Sequence, residues 1–161
     1  MLQGRSLLQL GTDGESGTAG SEEPECRPAT TAVPEERKDY FKTVGGERFA
    51  GTHLIVDLWD AEQLDDLETV DAALRACVSA SGATLLHLHL HHFTPNQGVS
   101  GVAVLAESHI SIHTWPERGY AALDLFMCGD ADPLQAIPVL EQVFQPSEVK
   151  VEELRRGRVG E

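Results

Sequence analysis

The chain has 161 residues, 41% of them hydrophobic, and a formal net charge of −14. This length suits one domain with its own core, and no apolar run approaches the ~20 residues that a membrane span requires. Because nucleic-acid binders need clustered Lys and Arg, the acidic balance predicts no nucleic-acid partner, and it suits either a solubilising surface or a cationic small-molecule ligand.

The cysteines indicate the compartment. Cys26, Cys77 and Cys128 make an odd number with no C-x-x-C spacing. This pattern argues against a disulfide framework or a zinc ribbon and favours a reducing environment. The first thirty residues lack the basic start and long apolar region of a secretory signal. We therefore expect a cytoplasmic protein with no membrane partner.

The N-terminal part differs in composition from the rest. Residues 1–48 are rich in Gly, Ser, Thr, Pro and Glu and show no apolar periodicity, which predicts a disordered extension before a folded domain over 49–161. GTHLIVDLW (51–59) predicts a buried strand. An apolar stripe at spacings of three and four then predicts a helix that Gly82 ends. The stripe comprises Leu64, Leu67, Val70, Leu74, Cys77 and Val78.

The next segments have the two-residue period of strands. ATLLHLHLHHF (83–93) places Leu86, Leu88 and Leu90 on one face and its alternate residues on the other. Those alternate residues are His87, His89, His91 and Phe93. VSGVAVLAESHISIHTW (99–115) predicts one or two strands.

YAALDLFMC (120–128) predicts a further strand with one aliphatic face and one mixed face. The aliphatic face carries Leu123, Leu125 and Met127, and the mixed face carries Tyr120, Asp124, Phe126 and Cys128. A mixed face of this kind must meet a ligand, a second sheet or another subunit.

A second helix is expected after this strand, with Asp132 as its cap and Pro133 in its first turn. Pro138 inside that helix should shorten or kink it. SEVKVEEL (147–154) predicts a last strand. Short turns between successive strands imply antiparallel pairing, so the predicted class is α+β, with a mainly antiparallel sheet covered by two helices.

LAESHISIHTW (105–115) places a carboxylate, two serines and two histidines within a strand. It lacks the G-x-S-x-G elbow of a serine hydrolase. The row His87, His89, His91 has ligands spaced ~7 Å apart, too far for all three to meet one ion without other strands. We predict no metal site, since such histidines more often serve packing or interfaces.

GVSG (98–101) followed by LAESHISIHTWPERGYAALDLFMCGD (105–130) closely resembles the core of the bacterial S-adenosylmethionine decarboxylase proenzymes. The resemblance runs from Gly51 to the RGR at 156–158 and does not include the extension. It implies a two-layer α/β sandwich that dimerises into a four-layer αββα arrangement. It also implies self-cleavage between Glu107 and Ser108 into a β chain, 1–107, and an α chain, 108–161.

The resemblance gives Ser108 a double role. Its hydroxyl attacks the Glu107 carbonyl, and elimination and hydrolysis then leave a pyruvoyl group at position 108. That group forms a Schiff base with the substrate amine and replaces an external cofactor. His113 resembles the proton acceptor of this processing, and Ser100 resembles the serine that assists it. Strict alternation places Ser108 and His113 on opposite faces, so a bulge, a bend or the cut itself must bring them together.

Three further residues receive roles from the resemblance. Cys128 corresponds to the donor that protonates the decarboxylated carbon; the alternative is a buried apolar thiol. Glu117 corresponds to the carboxylate that holds the ribose hydroxyls; the alternative is a solvated turn residue. Phe93 corresponds to the aromatic that stacks on adenine or the sulfonium, and the alternative is simple packing. Cys77, on the helix stripe, is expected in the core.

The expected function is pyruvoyl-dependent decarboxylation of S-adenosylmethionine to S-adenosylmethioninamine, the aminopropyl donor of spermidine biosynthesis. One alternative keeps the machinery and decarboxylates arginine or ornithine, whose positive charge also suits an acidic protein. Another is an unprocessed ligand-sensing domain without activity.

Overall fold

The computed structural model describes residues 40–94 and 98–160. The disorder predicted for residues 1–39 therefore lies outside the described part. Residues 40–48 correct the predicted boundary, because they contain two short antiparallel strands, β1 (Lys42–Val44) and β2 (Glu47–Phe49). Gly45 and Gly46 join them at φ 63° and 83°, values that favour glycine. The Gly-Gly pair between two short strands was a hairpin signal in the sequence.

Eight strands and two α-helices occur within the described residues. After the hairpin come β3 (Gly51–Trp59), α1 (Leu67–Ala80), β4 (Leu85–His92), β5 (Val99–Leu105), β6 (Ser108–Trp115), β7 (Tyr120–Cys128), α2 (Ile137–Phe144) and β8 (Glu148–Arg156). Single 3-10 turns cover Pro116–Arg118 and Pro133–Ala136. The main sheet has the order β4-β5-β6-β7-β3-β8, and every neighbouring pair is antiparallel. This confirms the predicted α+β class.

One face of the sheet forms the core with the helices. The aliphatic residues predicted for β7, Leu123, Leu125 and Met127, are at most 1% exposed. Each fully buried side chain of this kind stabilises the fold by about 1.5–3 kcal/mol. Cys77 of α1 is fully buried against them, as predicted, and this burial raises the pKa of its thiol to about 12.

Helix α1 begins later than the apolar stripe. Asp66 caps its first turn by accepting a hydrogen bond from the Glu68 N–H at 3.1 Å. Leu64 therefore precedes the helix, although it is buried in the same core. Gly82 follows the helix at φ 67°, in agreement with its predicted role as the terminator.

The second helix divides where the sequence predicted a kink. Asp132 caps a 3-10 turn, Pro133–Ala136, by accepting from the Leu134 N–H at 3.1 Å. Pro138 then lies in the first turn of α2, where a missing N–H leaves no helical bond unmade. The proline thus starts a new helix and does not bend one.

In strand β4, Leu86 does not share a face with Leu88 and Leu90, contrary to the prediction. The register between β4 and β5 shifts between Leu85 and His87, which is a bulge. Leu88 and Leu90 pack against the core, whereas Leu86 is 63% exposed. Phe93 follows the strand and is not part of it.

The opposite face of the main sheet, called the open face below, carries the polar and aromatic side chains. The strand register aligns them in rows such as His109–Phe126–His53 and Ser111–Asp124–Ile55. Neither helix in residues 40–94 and 98–160 has the length and apolar character that crossing a membrane requires.

Candidate active site

The predicted cleavage point lies at the start of β6. Glu107 occupies the short turn after β5, and Ser108 is the first residue of β6. Ser108 has φ 151°, a conformation that residues other than glycine rarely adopt. Such a conformation costs about 1–3 kcal/mol and persists only when its surroundings enforce it. The strained residue is thus the one predicted to become the pyruvoyl group.

Glu107 is held at both its side chain and its backbone. Its carboxylate accepts a hydrogen bond from the Thr84 N–H at 2.8 Å. Its backbone carbonyl accepts one from the Cys128 N–H at 3.1 Å. A donor on this carbonyl stabilises the negative charge that develops on the oxygen when a nucleophile attacks the carbon. The geometry therefore prepares the carbonyl beside Ser108 for acyl transfer.

Cys128 is the last residue of β7 and lies at the same end of the sheet. Ser108 pairs with Met127, so Cys128 is one residue beyond the pair. Its thiol is free and only half-buried, in contrast to the fully buried Cys77. The alternative of a core thiol therefore applies to Cys77 and not to Cys128.

A cleft of about 570 Å³ opens at the other end of β6. Its lining comprises Phe93, Gly98, Ser100, His113, Thr114, Trp115 and Glu117. Four of these are residues that the resemblance singled out. Ser100 and His113 are cross-strand partners, and Ser100 Oγ lies 2.8 Å from His113 Nδ1. The hydroxyl can either donate to or accept from this ring nitrogen.

The mouth of the cleft is aromatic and acidic. Phe93 is 54% exposed, and its ring meets the His91 ring edge-on with centroids 4.8 Å apart. Glu117 stands exposed in the 3-10 turn that follows β6. Trp115, which sequence reasoning missed, is 41% exposed and adds a second aromatic face. Its position two residues after His113 on the same strand face was the available signal.

Thr114 fixes the inner wall of the cleft. Its buried Oγ1 accepts from the Val99 N–H at 2.7 Å and donates to the Leu64 carbonyl at 2.7 Å. Gly98 passes so close that a Cβ there would lie 1.9 Å from the Thr114 carbonyl oxygen. Only glycine fits this approach, which explains the first residue of the GVSG motif.

The two groups of residues do not meet within one chain. Strand β6 pairs with β7 in uninterrupted register from Ser108 to Trp115. Five residues of extended strand separate Ser108 from His113 by roughly 16 Å. Of the three predicted ways of bringing them together, the regular register excludes a bulge or a bend within β6, whereas the effect of the cut itself stays a prediction. Each group occupies its own end of the sheet.

A polar network crosses the middle of the open face. Ser111 donates to Asp124 at 3.2 Å, and His53 Nε2 lies 3.2 Å from the same carboxylate. Arg156 approaches His53 Nδ1 at 3.2 Å. Because a guanidinium only donates, Nδ1 accepts and the proton of neutral His53 is on Nε2. Sequence reasoning missed His53 and Arg156, because they lie on paired strands, β3 and β8, that are far apart in the sequence.

Tyr120 completes the open face beside the cleft. Its hydroxyl donates to the Asp57 carboxylate at 2.6 Å, and this bond raises the pKa of Tyr120 to about 12. Its ring lies between Trp59 and Trp115, with centroids 4.4 Å and 5.3 Å away. The three rings form a partly exposed aromatic row.

The pairing of β4 with β5 shows which residues flank the histidine row. His87, His89 and His91 pair with Val104, Val102 and Ser100, so no further ligand lies beside them on β5. Within residues 40–94 and 98–160, no group of three or more His, Cys, Asp or Glu side chains could hold an ion.

Comparison with known proteins assigns the chain to a family. The S-adenosylmethionine decarboxylase family model matches residues 52–157. The S-adenosylmethionine decarboxylase proenzyme of Thermomicrobium roseum is 48% identical over 110 residues, which cover 68% of this chain and 95% of that protein. The Methanococcus aeolicus proenzyme is 47% identical over 114 residues, covering 69% and 97%.

A solved structure agrees with these sequence relatives. The crystal structure of the adenosylmethionine decarboxylase from Aquifex aeolicus superimposes with a TM-score of 0.63 at 33% identity, over 70% of this chain and 95% of that one. The fold and the site define an α+β decarboxylase proenzyme of the pyruvoyl-dependent class. The chain belongs to the S-adenosylmethionine decarboxylase family, which confirms the predicted family and enzyme class.

Proposed function

We propose that this chain cuts itself between Glu107 and Ser108 and then decarboxylates S-adenosylmethionine to S-adenosylmethioninamine in the cytoplasm. The observation that carries the proposal is the Cys128 N–H on the Glu107 carbonyl, next to the strained Ser108. The product is an aminopropyl donor for spermidine synthesis.

The cut follows from groups at the start of β6. Ser108 Oγ attacks the Glu107 carbonyl carbon, and the Cys128 N–H stabilises the developing oxyanion. Breaking the C–N bond converts the amide to an ester. Removal of the Ser108 α-proton then expels the Glu107 carboxylate and leaves dehydroalanine. Its tautomer adds water and loses ammonia, which produces the pyruvoyl group.

His113 is the proposed acceptor of the α-proton, with Ser100 2.8 Å away to orient its ring. Since these residues lie roughly 16 Å from Ser108 in the same chain, the acceptor must come from a second copy. A twofold axis that lies between two sheets packed face to face, parallel to the sheets and perpendicular to β6, exchanges the two ends of β6. In such a dimer Ser108 of one protomer faces His113 of the partner subunit.

The open face has the character that this dimer requires. Ile55, Trp59 and Trp115 are 37–41% exposed on it, and burial of such residues favours association. Two sheets packed through these faces, with the helices outside, form the four-layer αββα arrangement. Each dimer then has two equivalent sites, and each site joins the ends of two chains.

The cleft around His113 is the proposed nucleoside pocket. Its volume of about 570 Å³ lies in the range of small-molecule sites. Glu117 can accept both hydrogen bonds of a cis-diol, and Phe93 offers a face to adenine or the sulfonium. Trp115 supplies a second aromatic surface. Arginine and ornithine have neither a ribose nor a base, so these residues favour S-adenosylmethionine.

Decarboxylation needs an electron sink, which the pyruvoyl carbonyl supplies once it has formed. The protein must then deliver one proton to the carbon that lost carbon dioxide. Cys128 lies one residue beyond the cross-strand partner of position 108 and carries a free, half-buried thiol. We assign this proton transfer to Cys128.

A denaturing intact-mass spectrum of freshly purified protein tests the proposal, together with carbon dioxide release from carboxyl-labelled substrates. We expect two chains that meet at 107/108, a hydrazine-reactive carbonyl on the α chain, and turnover of S-adenosylmethionine but not of arginine or ornithine. Ser108→Ala should stay a single inactive chain. A folded 17.5 kDa chain that never cuts would refute the proposal and favour the ligand sensor.

A further inference from the structure

A second cavity, of about 530 Å³, lies at the cleavage end of the domain. It shares no lining residue with the cleft around His113. Its lining comprises Tyr40, Phe41, Lys42, Thr43, Gly82, Glu107, Gly129, Asp130 and Ala131. We call it the Glu107 cavity, since it is open to the residue whose carbonyl is attacked.

The wall formed by residues 40–43 precedes the part of the chain that matches the family, residues 52–157. It is fastened to the turn after Cys128. The Tyr40 carbonyl accepts from the Gly129 N–H at 3.0 Å, and Lys42 Nζ donates to the Ala131 carbonyl at 3.1 Å. Residues 40–43 are therefore a structured segment, outside the matched range, that is hydrogen-bonded to the cleavage end of the domain.

The charges around the Glu107 cavity are unequal. Glu107 and Asp130 contribute carboxylates, and Lys42 contributes the single positive charge among the lining residues. The Glu107 side chain already accepts the Thr84 N–H. An ammonium has three donors, and the Ala131 carbonyl engages one of those on Lys42.

Cleavage changes this balance. Breaking the ester between Glu107 and position 108 leaves a second carboxylate on Glu107, as the C-terminus of the β chain. The new negative charge forms on the residue that already carries a side-chain carboxylate, at a cavity that Asp130 also lines, so a counter-ion would stabilise it. We propose that Lys42 binds the carboxylate that self-cleavage creates on Glu107. This inference rests on the proposed cut at 107/108.

The ion pair would hold the new C-terminus in the Glu107 cavity and keep position 108 accessible to substrate. Lys42 acts here as a positioning residue after the cut and takes no part in bond breaking. Its pairing partner exists only in cut protein. That condition separates this role from a purely structural one, in which the Ala131 bond alone matters in both forms.

The test compares Lys42→Met in cut protein with Lys42→Met in the uncut Ser108→Ala background, after mass spectrometry has established the chain composition of each sample. In cut protein we expect Tm to fall by about 3 °C, and in uncut protein by less than about 1 °C. Lys42→Arg should restore Tm, and high salt should shrink the difference. Arg75→Met, which removes one exposed positive charge from α1, is the matched control and should affect both forms equally.

Equal losses of Tm in the cut and uncut forms would overturn the inference. Lys42 would then stabilise the protein only through its hydrogen bond to the Ala131 carbonyl. Failure of Lys42→Met to cut to completion would also overturn it, because Lys42 would then act before the carboxylate exists. If the parent protein itself never cuts, the proposed function fails first, and the mass spectrum shows this separately.

Discussion

The separation of Ser108 from His113 makes a prediction that two inactive variants can test together. Ser108→Ala lacks the nucleophile, and His113→Ala lacks the proposed proton acceptor. If one site needs Ser108 of one protomer and His113 of the partner subunit, a mixed dimer of the two variants contains one complete site and one site lacking both groups. Neither variant alone contains a complete site.

The expected fraction of cut chains follows from the geometry of β6 and from how the two variants pair. A proton acceptor must approach within about 3 Å of its target, whereas Ser108 and His113 are roughly 16 Å apart on a regular strand. With His113 as the proposed acceptor, the elimination step cannot take place within one chain unless β6 unfolds. Random pairing of equal amounts makes about half of the dimers mixed. About half of the His113→Ala chains should then be cut.

The assay is co-expression with an affinity tag on the Ser108→Ala chain only. Every His113→Ala chain that is captured with the tag belongs to a mixed dimer, so its cut fraction should approach completeness. His113→Ala chains that are not captured should remain intact. Uncut His113→Ala chains in the captured pool would refute the shared site, and cleavage of His113→Ala expressed alone would refute the role of His113.

Three other outcomes are expected. Cys128→Ala should still cut, because its backbone N–H remains, but carbon dioxide release by the cut protein should fall by about 10²-fold or more. Glu117→Gln should cut normally and raise the KM for S-adenosylmethionine about tenfold through weaker bonds to the ribose, while kcat changes little. The Asp57 hydrogen bond raises the pKa of Tyr120 to about 12. The folded state therefore keeps a proton that the unfolded state loses above about pH 10. This contribution to stability is complete below pH 10 and is lost as pH rises to 12, so Tm over that range should fall more steeply in the parent than in Tyr120→Phe.

The sequence predicted most of the elements because their patterns are local. The bounds of β3 and β7 agree residue for residue with GTHLIVDLW and YAALDLFMC. Both strands lie inside the sheet with one face buried, so alternation fixes which side chains enter the core. The same alternation placed Cys128 on the open face. The register of β5 and β6 places Ser100 directly opposite His113. The resemblance had only implied this contact.

The errors arose where a non-local or irregular feature determined the structure. A bulge exposes Leu86, and no residue in its own segment signals that shift. Arg156 meets His53 because the last strand pairs with the first strand of the main sheet, a register that periodicity cannot supply. The distance between Ser108 and His113 was calculable from their spacing in a strand. Their spacing of five residues along a regular strand places the two side chains at opposite ends of β6.

The strain at Ser108 connects the fold to the proposed cut. Ile110, Ile112 and Thr114 share its parity and point into the core, so a regular strand would bury the Ser108 hydroxyl among them. At φ 151° the serine departs from that pattern, and its side chain is half-exposed. In the proposed reaction the bond that defines this φ disappears, because position 108 loses its nitrogen. About 1–3 kcal/mol of backbone strain is then released, which favours the cut chain over the intact one. The strained backbone of Ser108 therefore keeps its hydroxyl out of the core before the cut, and the reaction then removes that strain.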